Sequence, residues 1–196
     1  MKKIGIMGGT FDPIHLGHLL AAETALEACG LDEVWFIPSA QPPLKLGDPG
    51  ADGDSRLEMV RIATASHPRF KAVDLELQRG GISYSYDTAK ALRKQHPDCS
   101  FAYIIGSDRI NDLSQWHRNE ELAELVTFIG VERPDEAADT AALPVYLRDR
   151  LVLAVMPQIG ISSTDIRHRR LSGYSVRYLV TDGVYEYIAE KGLYES

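Results

Sequence analysis

Two histidines three residues apart, His15 and His18, close the run Gly-Gly-Thr-Phe-Asp-Pro-Ile-His-Leu-Gly-His that begins at Gly8. Glycines at the end of an apolar strand let backbone N–H groups approach a phosphate with no Cβ in the way. Histidines at i and i+3 of a helix start share one side, beside the positive end of the helix. Such a pair can donate hydrogen bonds to phosphate oxygens. Gly17, between them, leaves room for a purine or ribose against the backbone. The plain alternative is a glycine turn with two surface histidines. A strand, Gly-Gly-Thr and HxGH in immediate succession argue against it.

The run Ile161-Ser162-Ser163-Thr164-Asp165-Ile166-Arg167 places hydroxyls and N–H groups at a helix N-terminus, a second anion site. Arg167 adds a fork of donors suited to phosphate. One of the three hydroxyls is expected to serve only as the helix cap. Gly106 and Asp108 fall where a strand end would meet a nucleotide, and Asp108 is suited to accept bonds from a ribose or an adenine amine. Trp116, inside the polar run Ser114-Gln115-Trp116-His117-Arg118, offers a flat face, with a buried core tryptophan as the alternative.

These segments need elements to hold them at one place. Apolar runs predict strands at 3–7, 33–37, 70–73, 101–105, 126–131 and Leu151–Val155. Helical spacing predicts helices at 17–29, 55–66, 86–95, 119–125, Ser163–Leu171 and 184–191, with a shorter one near 110–113. Ser55-Arg56-Leu57-Glu58 has capping-box spacing and marks Ser55 as a helix cap. The Pro-, Gly- and Asp-rich stretch 39–54 reads as a loop, and 133–144 as a surface excursion. Strands alternating with helices throughout predict an α/β, Rossmann-like, doubly wound fold with a mostly parallel sheet. A single domain spans 1–196, ending in a small helical portion. Chemistry then gathers at the carboxyl ends of the strands, where the segments above all fall.

Composition narrows the function classes. The chain has 196 residues, 44% hydrophobic and 25% charged, the profile of a globular protein with a real core. Its net charge of −7 argues against wholesale binding to nucleic acid or anionic membranes, so a phosphate site must be built locally. Cys29 and Cys99 form no CxxC, which suits a reducing cytoplasm and offers no zinc or disulfide framework. No apolar run reaches the roughly 18 residues of a membrane span, and glycines interrupt any signal-like start.

The HxGH segment resembles the signature of the nucleotidyltransferase superfamily of adenylyl- and cytidylyltransferases. In its Phe-Asp-Pro-x-His-x-Gly-His form it looks most like the bacterial nicotinate-nucleotide adenylyltransferase branch. The 161–167 run resembles that branch's ISSTxIR motif, and Ile104-Ile105-Gly106-Ser107-Asp108 with Leu113 and Trp116 its IIGxD…LxxW pattern. Pro38-Ser39-Ala40-Gln41-Pro42-Pro43-Leu44-Lys45 resembles its loop ending in Pro-Pro-His-Lys, with Leu44 in place of the histidine. Ser83-Tyr84-Ser85-Tyr86-Asp87-Thr88 resembles its SYTYDT stretch, with Ser85 in place of threonine.

The resemblance implies transfer of AMP from ATP, carried with Mg2+, to nicotinate mononucleotide. No covalent intermediate and no protein metal cage are implied. It further implies an ATP site of Gly8, Gly9, Thr10, Phe11, His15, Gly17, His18, Gly106, Asp108, Ile161, Ser162, Ser163, Thr164 and Arg167. Catalysis would fall to His15, His18, Lys45 and Arg167, and the mononucleotide site to Thr10, Lys45, Ser85, Tyr86 and Trp116. Trp116 would stack on the pyridine, and a helix starting near Ser85 would present N–H groups to the nicotinate carboxylate. Two alternatives stand beside this reading. One is a nucleotide-binding sensor without catalysis; the other is an adenylyltransferase for another acceptor, nicotinamide mononucleotide or phosphopantetheine. Assembly into a homo-oligomer is left open.

Overall fold

The computed structural model describes residues 1–43, 50–132 and 139–195, save the side chain of Asp108. Its centre is one six-stranded sheet: β1 (Lys2–Gly9), β2 (Glu33–Pro38), β3 (Phe70–Ala72), β4 (Cys99–Gly106), β5 (Thr127–Glu132) and β6 (Leu151–Val155). The spatial order is β3-β2-β1-β4-β5-β6, and every neighbouring pair is parallel. The sheet is thus wholly rather than mostly parallel.

The apolar runs do not alternate with polar residues because both faces of the sheet are covered. Alternate residues instead feed two separate cores. Met7, Val34, Phe36, Ala102 and Ile104 pack under α1 (Leu16–Ala28), α2 (Gly53–Thr64), α8 (Ser163–Leu171) and α9 (Asp182–Glu190). Ile4, Ile6, Trp35, Ile37, Phe101, Tyr103 and Ile105 pack under α4 (Ser85–Gln95) and α6 (Asn119–Leu125) on the other face. The order reverses between β1 and β4, so the crevice beyond their carboxyl ends is where a ligand fits in such sheets.

Four elements differ from the expectations. The α2 helix begins at Gly53, and its cap is Asp52, which accepts from the Ser55 N–H; Ser55 lies inside the first turn. A five-residue helix, α3 (Leu75–Arg79), stands where no element is predicted, being too short for helical periodicity to show. A one-turn helix α5 (Ser107–Ile110) follows β4 directly, and α7 (Val145–Arg148) precedes β6. Cys29 and Cys99 are both free thiols. Among the described residues no helix is long and apolar enough to cross a membrane.

At the amino end of the sheet, Glu33 ties three neighbouring strands. Its Oε1 accepts from Lys2 Nζ at 2.7 Å and Lys71 Nζ at 2.8 Å, and its Oε2 from Trp35 Nε1 at 2.8 Å. Burial alone would raise this carboxyl; the two ammonium groups and the indole outweigh it and hold the pKa at about 2. A depressed carboxylate contributes stability that is fully present above its unfolded value and lost as pH falls through the folded one. Thermal unfolding should therefore show a decline in Tm between about pH 4.5 and pH 2 that is shallower in Glu33→Gln. Equal slopes in the two proteins would remove Glu33 from the account of acid stability.

Candidate active site

The loop after β1 is shaped before any ligand enters it. Phe11 takes a left-handed backbone (φ 51°) and turns its ring inward, where it is almost wholly buried. A Cβ on Gly9 would lie 3.3 Å from that ring, so the second glycine is needed for the phenylalanine to seat. Gly8 is different. It is exposed, and a Cβ there would meet nothing nearer than Tyr103 Cε1 at 3.8 Å, so its backbone faces the crevice. The Phe11 ring meets the His18 ring edge-on at 5.1 Å. Phe11 therefore acts as a buttress for His18, and its side chain offers no face to a nucleotide.

His15 is the N-cap residue of α1, and its extended backbone (φ −144°, ψ 171°) brings the two imidazoles together. Their ring centroids lie 3.7 Å apart at 23°, a stacked pair. The His15 N–H donates to His18 Nδ1 at 3.2 Å. An accepting Nδ1 carries no proton, so the neutral ring bears it on Nε2, the nitrogen able to donate to a ligand. Gly17 is explained by the same stack: a Cβ there would lie 3.0 Å from His15 Nδ1. Space for the histidine ring, ahead of space for a purine, is what the glycine supplies.

The start of α8 is fastened to this loop. Ser163 Oγ donates to the Pro13 carbonyl at 2.9 Å, and Arg167 Nη1 to the Asp12 carbonyl at 2.8 Å. The Ile161 carbonyl lies 3.8 Å from where a Gly17 Cβ would be, while the Ile161 side chain packs on the core. Ser162 is the cap, accepting from the Asp165 N–H and donating to that residue's carboxylate. Its hydroxyl and that of Ser163 are thus engaged within the protein, and Thr164 Oγ1 faces Arg167 Nη2 at 3.4 Å. Arg167 retains donors beyond the two bonds to the loop and to Thr164.

Two buried ions hold these pieces, and neither was singled out from the sequence. Arg56, 2% exposed, donates to the carbonyls of Thr10 (2.8 Å), Ser39 (2.8 Å) and Ala51 (3.2 Å). Asp12, 4% exposed, accepts from the Gly50 and Ala51 N–H groups and from the Tyr194 hydroxyl at 2.7 Å. Burial draws the Arg56 pKa down, and Asp12 is the leading opposing influence. Together they join the ends of β1 and β2, the start of α2 and the C-terminal tail. The only signal for them was the Asp within the motif itself.

On the β4 side, Gly106 is exposed at the strand end and serves as N-cap of α5. Tyr103 Oη donates to the Ser85 carbonyl at 3.1 Å and its ring meets Trp116 edge-on at 6.2 Å. The tyrosine so connects the first turn of α4 with the tryptophan. Trp116 is half-buried, and its indole N–H has no acceptor among the described residues. The α4 N-terminus is closed by Tyr84 with no side-chain cap, unlike α2 and α8. Capping by Ser85 or Asp87 is thereby set aside, and the backbone donors there remain suited to an anion. Tyr86 departs from expectation. Its side chain is buried in the second core with the Arg118 guanidinium 4.0 Å over its ring, so only its backbone N–H can serve a ligand. Lys45 and the substituted Leu44 lie outside the described residues, as does the Asp108 side chain.

The chain matches the cytidylyltransferase-like family over residues 6–169. It is 43% identical over 196 residues to the nicotinate-nucleotide adenylyltransferase of Bacillus subtilis, covering all of both chains. It is 47% identical over 194 residues to a probable enzyme of that name from Geobacillus thermodenitrificans, covering 99% of this chain and 87% of the relative. Its fold is similar, with a TM-score of 0.80, to the Plasmodium falciparum nicotinic acid mononucleotide adenylyltransferase complexed with NaAD. That likeness covers 99% of this chain and 98% of the other at 24% identity. A strand-end glycine turn, a stacked HxGH pair and an arginine tied to the same loop, carried on a wholly parallel sheet, place this chain in the nicotinate-nucleotide adenylyltransferase family.

Proposed function

We infer that this chain transfers the adenylyl group of ATP to the phosphate of nicotinate mononucleotide, forming nicotinate adenine dinucleotide and pyrophosphate, a step of NAD biosynthesis. The observation that carries the reading is the stacked His15–His18 pair at the α1 N-terminus, where His18 Nδ1 accepts from the His15 N–H. An oxygen of the mononucleotide phosphate attacks the α-phosphorus of ATP. The bond from that phosphorus to the bridging oxygen breaks, and pyrophosphate leaves with its electron pair. The attacking phosphate is anionic at neutral pH, so neither a general base nor a covalent enzyme intermediate is required. Positioning and charge stabilisation carry the catalysis.

The residues divide as follows. Gly8, Gly9 and the α1 N-terminus approach the phosphates, with Thr10 and His15 orienting them and His18 meeting the charge that develops at the α-phosphate. Phe11 and Gly17 hold the histidines in place. Arg167 binds the β- and γ-phosphates, a role assigned also to Lys45. Gly106 and Asp108 face the adenosine, together with the 161–164 segment. Trp116 takes the pyridine ring, and the N–H groups of Ser85 and Tyr86 take its carboxylate.

The donors converging here are imidazole, guanidinium and amide N–H groups. Among the described residues no group of three or more His, Cys, Asp or Glu could hold a metal. Those residues fit Mg2+ that arrives on the ATP phosphates. Bound there, it would shield the negative charge of the triphosphate.

Pyrophosphate release with ATP and Mg2+ tests the reading, with nicotinate and nicotinamide mononucleotides compared side by side. Preference for nicotinate is expected. Equal use of both retains the chemistry and removes the acid pocket, while binding of ATP without turnover favours a sensor. His18→Ala should lower kcat by about two orders of magnitude or more, the scale for a lost charge-stabilising donor. Near-wild-type turnover in folded His18→Ala protein would remove that assignment. Trp116→Ala should raise KM for the mononucleotide more than KM for ATP; equal shifts would contradict stacking on the pyridine.

A further inference from the structure

Glu76 is a buried acid that the reaction above does not use. It lies on α3, is 5% exposed, and accepts from Thr88 Oγ1 at 2.6 Å. A carboxyl at such a depth is costly unless it is hydrogen-bonded. What the carboxyl adds is an acceptor that holds the first turn of α4.

Thr88 sits fully buried in the first turn of α4. It also accepts from Arg79 Nη2 at 3.1 Å, and the Tyr103 hydroxyl holds the Ser85 carbonyl of the same turn. Ser83 sits in the turn before α4. Its Oγ accepts from the Ala40 N–H at 3.0 Å, and its own N–H donates to the Gln41 carbonyl at 2.8 Å. Residues 40 and 41 begin the loop that leaves β2. The carboxyl thus holds the uncapped N-terminal turn of α4, and the backbone just before that turn is tied to the loop after β2.

We propose that Glu76 is a positioning residue for the acceptor substrate, setting the α4 N-terminus where it receives the anionic pyridine mononucleotide. The proposal rests on the acceptor reading given above. Burial raises the Glu76 carboxyl, against the opposing pull of Thr88, Ser83 and Arg79.

The test is a split of kinetic constants, backed by calorimetric titration with nicotinate mononucleotide. Glu76→Ala should raise KM and Kd for the mononucleotide by about tenfold or more, with KM for ATP within about twofold, the size expected when a buried hydroxyl loses its acceptor. Glu76→Gln, which keeps an acceptor for Thr88, should restore both to within about threefold. Should Glu76→Ala not fold, Thr88→Val removes the hydroxyl that Glu76 holds, at nearly constant shape, and should show the same split. Equal shifts for both substrates, or none, in folded variants of an active wild type overturn the proposal alone. Wild-type protein that neither binds nor turns over the mononucleotide overturns the functional reading and the proposal together.

Discussion

A guanidinium sealed from water and surrounded by carbonyl oxygens is the constraint on which the site depends. Arg56 reaches three backbone carbonyls from three segments: the end of the β1 loop, the end of β2 and the start of α2. Carbonyls accept and do not donate, so no neutral side chain of that reach could bridge all three. Asp12 complements it from the other side, gathering two N–H groups and the Tyr194 hydroxyl. Replacing such a pair by apolar groups can leave stability unchanged, so its value lies in fixing one arrangement of loops. That arrangement puts the Asp12 carbonyl where Arg167 can hold it, and the loop where Phe11 can brace His18.

A chain of net charge −7 must concentrate positive potential to hold a triphosphate. The structure does so with few ions. Among the described residues, the α1 N-terminus, two stacked imidazoles and the Arg167 guanidinium tied to the same loop gather after β1, with Arg56 buried against the Thr10 carbonyl. In the stack, the bond from the His15 N–H fixes the His18 ring and its tautomer. Donors fixed in this manner need no reorganisation when charge moves toward the leaving pyrophosphate.

Much of this was legible in the sequence, for reasons that can be named. Strand and helix alternation emerges from long apolar runs, and a glycine pair followed by HxGH has few purely structural uses. Arg56 was illegible because a single arginine in a helix reads as a solvated charge; only the fold reveals three carbonyls around it. Tyr194, near the chain end, contacts a residue 182 positions away, a separation no local pattern encodes. Tyr86 misled for the opposite reason: it stands in a polar stretch beside binding residues, yet the helix phase turns its ring into the core. Ser55 read as the cap of α2 from its capping-box spacing, but Asp52, three residues earlier, holds that position. Glu76 lies on a helix of five residues, too short to announce itself, and its partner Thr88 comes from a different helix.

The central claim is that Asp12 and Arg56 organise the anion site without touching the ligand. Calorimetric titration of ATP with Mg2+ into Asp12→Asn protein tests it most directly. The amide nitrogen would face N–H groups where a carboxylate oxygen now accepts, loosening the loop while leaving both cores intact. The account predicts retained secondary structure and ATP affinity weakened by about tenfold or more, the scale for lost hydrogen bonds to a buried charge. Folded Asp12→Asn protein that binds ATP as tightly as wild type would contradict it.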